Sequence, residues 1–218
     1  MKLYYAPASS YSQRVLIALY EKQINFDPVE VNLFDAQERD RYRQTNPFIK
    51  VPTLVTDESQ VIFEASIIIE YLDRIQPDPQ LIPKEPDQAL ETRIIERLID
   101  VYINSGREVL FANTQRPDQE QREVIKAHRL LETACQLLDQ RLENRLWLTG
   151  DTFSLADCAA APTLAYLRWV YSYSHFPRLS DYVKRLESRP SVARAFQEGR
   201  EQMMQMLASL RFPLELVL

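Results

Sequence analysis

Between Asn46 and Asp73 the chain reads NPFIKVPTLVTDESQVIFEASIIIEYLD, and two places in this stretch have residue types that could act together. Pro52 stands just ahead of the strand-like run Thr53-Leu54-Val55. Proline cannot donate to a β ladder, so it belongs at an edge or a strand start. A cis bond in a tight turn is cheap before proline and rare elsewhere. That geometry at Val51-Pro52 leaves the Val51 backbone free to pair with an extended peptide. Further on, Glu64-Ala65-Ser66 opens a helix whose first N–H groups suit a carboxylate. A place that pairs with a peptide backbone and holds a carboxylate nearby is a site for a small anionic peptide.

Other chemistries are removed by counting. Gly106, Gly150 and Gly199 are the only three glycines, so neither a P-loop nor a GxGxxG fingerprint can be built, and nucleotide cofactors held in those ways are excluded. Two histidines far apart, His128 and His175, with Cys135 and Cys158, make a poor metal set, and no metal is expected. No nucleophile elbow is present. The net charge of -5 and the scatter of basic residues argue against nucleic-acid binding. Two cysteines inside helical patterns do not form a disulfide framework, which points to a reducing compartment. MKLYYAPASS has no long apolar run, and no segment approaches the ~18 apolar residues of a membrane span. A cytoplasmic protein without membrane partners is expected.

The elements that must position these residues follow from patterning. Residues 1–75 alternate strand and helix signals: a strand at Lys2–Tyr5, a helix from Ser12 to Glu21, an edge strand at Phe26–Val31 containing Pro28, a short helix within Asp35–Thr45, two strands, and a helix opening at Glu64. Gln76 to Asp87 holds four prolines and reads as a linker. Residues 88–218 are helical almost throughout. Leu90, Ile94, Ile95, Leu98, Val101 and Tyr102 line one helix, and Val124, Ala127, Leu131, Ala134, Leu138 and Leu142 the next. A third opens at Thr152-Phe153-Ser154 and runs to about Val170. Asp157, three residues after Ser154, reads as a structural helix cap. A last helix starts at Pro190 and continues to about Leu207. The expectation is an α/β domain over 1–75, a linker over 76–87 and an all-α domain over 88–218.

This order, with the runs Ala8-Ser9-Ser10-Tyr11-Ser12-Gln13-Arg14-Val15, Asn46-Pro47 to Leu54, Phe63-Glu64-Ala65-Ser66 with Tyr71-Leu72, and Phe153-Ser154-Leu155-Ala156-Asp157, resembles the cytosolic glutathione transferase superfamily. The resemblance covers essentially the whole chain. It implies a thioredoxin-like first domain, a helical second domain, a homodimer, and glutathione as co-substrate with no further cofactor. Thioredoxin-like redox proteins carry C-x-x-C where this chain has Ser9-Ser10-Tyr11-Ser12. Without a thiol there, no mixed disulfide forms at that position, and the serine-type and tyrosine-type members remain.

The resemblance also implies roles. Ser9 is the first choice to donate a hydrogen bond to the glutathione sulfur, with Ser10 next and Tyr4 or Tyr5 as the tyrosine-type alternative. An N-cap pair is the structural reading of Ser9 and Ser10. Val51, with Pro52 setting the turn, pairs with the cysteinyl part. Lys50 reaches the glycine carboxylate, Glu64 holds the γ-glutamyl ammonium, and Ser66 or the Ala65 N–H holds its carboxylate. Arg14 reads as a structural ion-pair residue. Two departures from the family pattern stand out: Ala65 replaces serine, and Ile49 stands where glycine is usual. Tyr11, Tyr102, Phe111, Tyr166, Trp169 and Tyr173 are candidates for an acceptor pocket between the domains, suited to small electrophiles. The implied activity is conjugation of glutathione to electrophiles in detoxification. The alternatives are a zeta-like glutathione-dependent isomerase, with Tyr11 where those enzymes carry cysteine, and a noncatalytic interaction module.

Overall fold

The computed structural model describes residues 1–115 and 121–208. The described residues divide into two compact units, one of residues 1–82 with Pro190–Met203 and one of residues 83–189 with residues 204–208. The first unit is built from β1 (Lys2–Tyr5), α1 (Ser10–Glu21), β2 (Asp27–Glu30), α2 (Ala36–Tyr42), β3 (Thr53–Val55), β4 (Val61–Phe63) and α3 (Ala65–Ile75). Its four strands lie in the order β2-β1-β3-β4, with β2 parallel to β1 and the other pairs antiparallel. Pro28 therefore sits on an edge strand, as its missing N–H requires.

A buried row fixes the register. Leu3 faces Leu54, Leu54 faces Ile62, and their exposures are 0%, 0% and 8%. A one-residue slip of a strand would turn its member of this row to the opposite face, where Thr53 Oγ1 is buried in hydrogen bonds with Tyr42 and Asn46, so the pairing is strongly specified. The α1 residues Val15 to Leu19 are fully buried, and α1 packs against α3. Tyr4, on the opposite sheet face from Leu3, meets the Tyr42 ring of α2 at 5.8 Å.

Part of the expected linker is tied to this unit. The Lys22 side chain is fully buried at the end of α1, where its ammonium meets Asp73 Oδ1 at 2.6 Å. It also donates to the carbonyls of Gln76 and Pro79, each at 2.7 Å. All three ammonium hydrogens thus have acceptors. Asp73 in turn accepts the N–H groups of Leu81 and Ile82 at 2.8 and 3.1 Å. Residues 76–82, which include a cis Asp78–Pro79 bond, are thereby held against the ends of α1 and α3.

The second unit is helical: α4 (Pro86–Leu98), a π-helical turn (Ile99–Ile103), α5 (Asn104–Gln115), α6 (Gln121–Arg141), α7 (Leu155–Leu167) and α8 (Pro177–Glu187). The apolar run from Leu90 to Tyr102 is thus broken by the π turn, whose Ile99 and Ile103 are fully buried. Every residue of α7 is buried, as expected of a helix apolar all round. Asp157 caps it, accepting from Ser154 N and Ser154 Oγ at 2.9 Å, Leu148 N at 3.1 Å and the Tyr182 hydroxyl at 2.6 Å. Its burial pushes the carboxyl above the usual range despite these donors. Helix α8 was not anticipated from the sequence, although Pro177 at its first turn and the buried spacing Leu179, Tyr182, Val183, Leu186 signal it. The last helix, α9 (Pro190–Ala208), begins in the first unit.

Among the described residues no helix is long and apolar enough to cross a membrane, and no group of three or more His, Cys, Asp or Glu could hold a metal. Removing one member of a buried ion pair strands the other. Lys22→Met is therefore expected to lower stability by about 3–5 kcal/mol, read from the midpoint of urea unfolding; a loss below about 1 kcal/mol would contradict the account.

Candidate functional site

The sheet register assembles the candidate residues. Tyr4 pairs with Thr53 and Thr53 with Phe63, so the C-terminal ends of β1 and β4 lie beside the N-terminal end of β3. The segments leaving or entering the sheet there are Ala6–Ser9, Lys50–Pro52 and Glu64–Ser66. Residues far apart in sequence thus share one end of one sheet.

Ser9 is the N-cap of α1, with extended backbone (φ -75°, ψ 122°). Its Oγ accepts the Ser12 N–H at 3.3 Å, and Ser9 N–H closes a turn onto the Ala6 carbonyl at 2.9 Å. The structural reading of Ser9 as a cap is therefore realised. A hydroxyl that accepts a backbone N–H still has its own proton to donate, and this one is half-exposed at a helix N-terminus. Ser10 is buried in the first turn of α1. Ser12, also buried, accepts the Ala6 N–H at 3.2 Å.

Tyr5 does not join this group. Its ring lies in a cleft of about 440 Å³ lined by Leu19, Tyr20, Phe26, Pro28, Arg194 and Glu198 among others. Burial, and then the Glu198 and Glu30 carboxylates, push its phenol above the ordinary value. The ring sits among residues of the C-terminal half of α1, whereas Ser9 begins that helix. Tyr4 packs on Tyr42 instead.

The Val51–Pro52 bond is cis, as Pro52 ahead of a strand suggested. Among the described residues neither the N–H nor the C=O of Val51 makes a hydrogen bond. The turn before it is held tightly. Asn46 Nδ2 donates to the Lys50 carbonyl and to Thr53 Oγ1, both at 2.9 Å, and Asn46 Oδ1 accepts the Phe48 N–H at 3.0 Å. The Tyr42 hydroxyl adds a 2.6 Å bond to the Lys50 carbonyl and a 2.7 Å contact with Thr53 Oγ1. The sequence marked Asn46 only as part of the run Asn46-Pro47 to Leu54, with no role, and did not mark Tyr42; their buried polar groups are what hold the turn. The Lys50 side chain is exposed.

Glu64 precedes α3 at φ 72°, a left-handed value rare for residues other than glycine. No side chain caps this helix. Among the described residues no acceptor meets the N–H groups of Ala65, Ser66 and Ile67, so the helix presents them open. Backbone held in such a sparsely populated region is a pointer to a functional position. Ser66 is half-buried, Ala65 buried and Glu64 exposed.

Among the acceptor candidates, Tyr166 and Trp169 are buried in the helical unit with ring centroids 4.5 Å apart. Tyr173 is buried too, its hydroxyl donating to the Leu164 carbonyl at 3.1 Å. Tyr102 is half-exposed on the π turn and Phe111 half-buried on α5. In the first unit Tyr11 carries the guanidinium of the buried Arg14 over its ring at 4.4 Å. Both cysteines are free and buried, and burial, with a further push from Glu132, takes the Cys135 thiol up to about 12, which disqualifies it as a thiolate nucleophile.

Comparison with known proteins bears on what this arrangement binds. Residues 3–80 match the family model described as Glutathione S-transferase, N-terminal domain, and residues 98–190 the one described as Glutathione S-transferase, C-terminal domain. An uncharacterised GST-like protein of Escherichia coli K12, YibF, is 30% identical over 203 residues, covering 89% of this chain and 97% of that one. A stringent starvation protein A homologue of Coxiella burnetii is 31% identical over 75% of this chain and 74% of its own. The maleylacetoacetate isomerase of Pseudomonas aeruginosa is 29% identical over 89% and 95%. A glutathione S-transferase of Methylobacillus flagellatus, solved with glutathione bound, superposes with a TM-score of 0.80 at 29% identity over 89% of this chain and 98% of its own.

Ile49 stands in the turn that the Asn46 network holds, with φ 54°. The left-handed conformation costs a side-chain-bearing residue roughly 1–2 kcal/mol, more than the ~0.5–1 kcal/mol that glycine adds in unfolded-chain entropy. Ile49→Gly is expected to raise stability by up to about 1.5 kcal/mol in urea unfolding, net of those two terms. A drop of more than about 1 kcal/mol would show that apolar contacts of the side chain outweigh the strain.

Proposed function

The chain belongs to the glutathione transferase superfamily, and on that premise we propose that it conjugates the glutathione thiolate to small electrophiles. The observation that carries the reading is the half-exposed Ser9 hydroxyl at the start of α1, at the same sheet end as the unpaired Val51 backbone and the open N–H groups of α3.

A free thiol has a pKa near 8.5, so only a few per cent is nucleophilic at neutral pH. Each unit by which that pKa falls corresponds to about 1.4 kcal/mol of preference for the anion. The Ser9 O–H donates to the sulfur without giving up its proton, and the N-terminal dipole of α1 favours the same negative charge. Glutathione lies extended along the sheet end. Its cysteinyl N–H and C=O pair with Val51. Its γ-glutamyl carboxylate takes the N–H groups of Ala65 and Ser66 and the Ser66 hydroxyl, its ammonium meets Glu64, and Lys50 reaches the glycine carboxylate. Ala65 in place of serine removes one side-chain hydrogen bond, worth about 1 kcal/mol of affinity. The thiol gives its proton to water as the sulfur ionises. The thiolate then forms the S–C bond while halide leaves an activated halide, or while the π electrons of an unsaturated carbonyl pass to its oxygen and a proton from water completes the adduct. A reducing, cytoplasmic setting fits a protein whose two cysteines are free and buried, and a detoxifying role is part of the same proposal.

An isomerase reading draws support from the similarity to the Pseudomonas enzyme and from the run Ser9-Ser10-Tyr11-Ser12-Gln13-Arg14-Val15. It calls for the same thiolate, and product analysis separates it from conjugation. The two are tested together by retention on immobilised glutathione and turnover of an activated aryl halide. Retention with turnover is expected, and Ser9→Ala is expected to cut kcat about tenfold or more while raising the apparent pKa of the bound thiol by about one unit. Turnover unchanged in Ser9→Ala would move the role to another hydroxyl. No retention and no turnover would leave a noncatalytic module.

The proposal includes a homodimer. Exposed apolar side chains support it: Phe48 and Phe63, whose rings meet edge-on at 5.8 Å, with Ile67 in the first unit, and Leu90, Ile94 and Val101 at helical spacing in the second. Light scattering at two concentrations is expected to return about twice the 25.6 kDa chain mass. The single-chain mass at both would exclude the dimer.

A further inference from the structure

The turn that carries Ser9 is gripped from two helices, and one of them belongs to the other end of the chain. The turn runs Ala6-Pro7-Ala8-Ser9 and is closed by Ser9 N–H on the Ala6 carbonyl at 2.9 Å. From α1, Ser12 Oγ accepts the Ala6 N–H at 3.2 Å, and Gln13 Nε2 donates to the Pro7 carbonyl at 2.9 Å. From α9, Gln202 Oε1 accepts the Ala8 N–H at 3.3 Å. The amide of Gln202 is itself held, its Nε2 donating to Glu30 Oε1 of β2 at 2.7 Å. Helix α9 can approach so closely because residue 199 is glycine. A Cβ there would stand 2.4 Å from the Pro7 carbonyl oxygen and 2.9 Å from Gln13 Nε2, distances that real Cβ atoms do not show. The obstructing oxygen is backbone, so it cannot swing aside as a flexible side chain would.

Gln13 is fully buried, and its Nε2 also lies 3.6 Å from Met203 Sδ of α9. One turn earlier, the Tyr20 hydroxyl donates to Glu198 at 2.7 Å, and the Arg194 guanidinium lies 4.0 Å from the Tyr20 ring centroid while bonding Glu198 at 3.2 Å. Helix α9 is therefore pinned along α1, and its contact with the Pro7-Ala8 peptides falls one and two residues before Ser9.

We propose that Gly199 and Gln202 are positioning residues for the thiol-activating hydroxyl: α9 acts as a clamp that fixes the Ala6–Ser9 turn and so the direction in which the Ser9 O–H points. This rests on the assignment of Ser9 above. Neither residue touches the tripeptide in that scheme; both act through the turn. Small misplacement of a catalytic donor is costly, because a hydrogen bond weakens steeply with angle and the reacting geometry is narrow. A clamp from the far end of the chain also makes sulfur activation depend on α9 being in place.

The test uses the full chain. Gln202→Met keeps side-chain length and removes the Gln202 Oε1 that accepts the Ala8 N–H. Gln202→Glu combined with Glu30→Gln keeps that acceptor and restores the bond to residue 30 with donor and acceptor exchanged. Gly199→Ala removes the close approach. For Gln202→Met the proposal expects kcat with an activated aryl halide to fall about tenfold, the bound thiol's apparent pKa from the pH profile to rise, KM for glutathione to stay within about twofold, and the Ala8 amide to exchange its hydrogen faster. The double variant recovers kcat and the thiol pKa. Gly199→Ala behaves as Gln202→Met or more severely. Folded Gln202→Met protein with unchanged kcat and thiol pKa, beside a Ser9→Ala control that loses both, would overturn the clamp and leave the assignment of Ser9 standing. A Ser9→Ala control that loses neither would overturn that assignment and the clamp with it. A fall in KM-linked binding alone, with kcat intact, would likewise reject positioning of the hydroxyl.

Discussion

The buried row Leu3–Leu54–Ile62 is the constraint on which the rest of the N-terminal unit depends. The strands that carry it are only three or four residues long, so little else holds the register. Because side chains alternate, burying these three also decides which residues stand at the end of the sheet. It brings the end of β1, the start of β3 and the end of β4 together, and with them Ser9, Val51 and Glu64. Three weak binding elements become one site through a packing requirement of the core. The Asn46–Tyr42–Thr53 network then holds the turn before Pro52 without using the Val51 backbone, which is what leaves that backbone open.

Much of this was legible in the sequence. Pro28 within the strand-like Phe26–Val31 indicated an edge strand and Pro52 before a strand indicated the cis turn, since in each case the missing N–H limits where proline can stand. Ser154 and Asp157 gave the cap of α7 by their spacing. The α/β first part and the helical second part followed from periodicity. Part of what escaped depends on partners distant in sequence. Lys22 looks like an ordinary surface lysine until the Gln76 and Pro79 carbonyls and Asp73 close over it. Residues 190–203 join the first unit through contacts across most of the chain, among them Gly199 against Pro7 and Glu198 on Tyr20. The break of the Leu90–Tyr102 pattern by a π turn leaves the apolar spacing almost unchanged, so periodicity cannot report it. Helix α8 did carry a readable signal in Leu179, Tyr182, Val183 and Leu186.

The site residues were legible in a narrower sense. Sequence offered Ser9, Ser10, Tyr4 and Tyr5 as hydroxyls, and alternation put the two tyrosines on opposite faces. The structure distributes them among a cap, a buried first-turn position, a ring stacked on Tyr42 and a cleft beside Glu198. Ile49 was marked as unusual by type alone; its left-handed backbone explains why glycine suits that position. The backbone at Glu64, also left-handed, had no sequence signal, since nothing about glutamate announces such a conformation. Strain at Glu64 beside an uncapped helix start is consistent with a position kept for a ligand.

The central claim is that a tripeptide lies along this end of the sheet with its sulfur turned to Ser9. A crystal structure of the protein soaked in glutathione tests it most directly. The account predicts the sulfur within about 3.2–3.5 Å of Ser9 Oγ and the cysteinyl backbone paired with both polar groups of Val51. Sulfur placed against a different hydroxyl, or a sheet end that stays empty at millimolar glutathione, would contradict it.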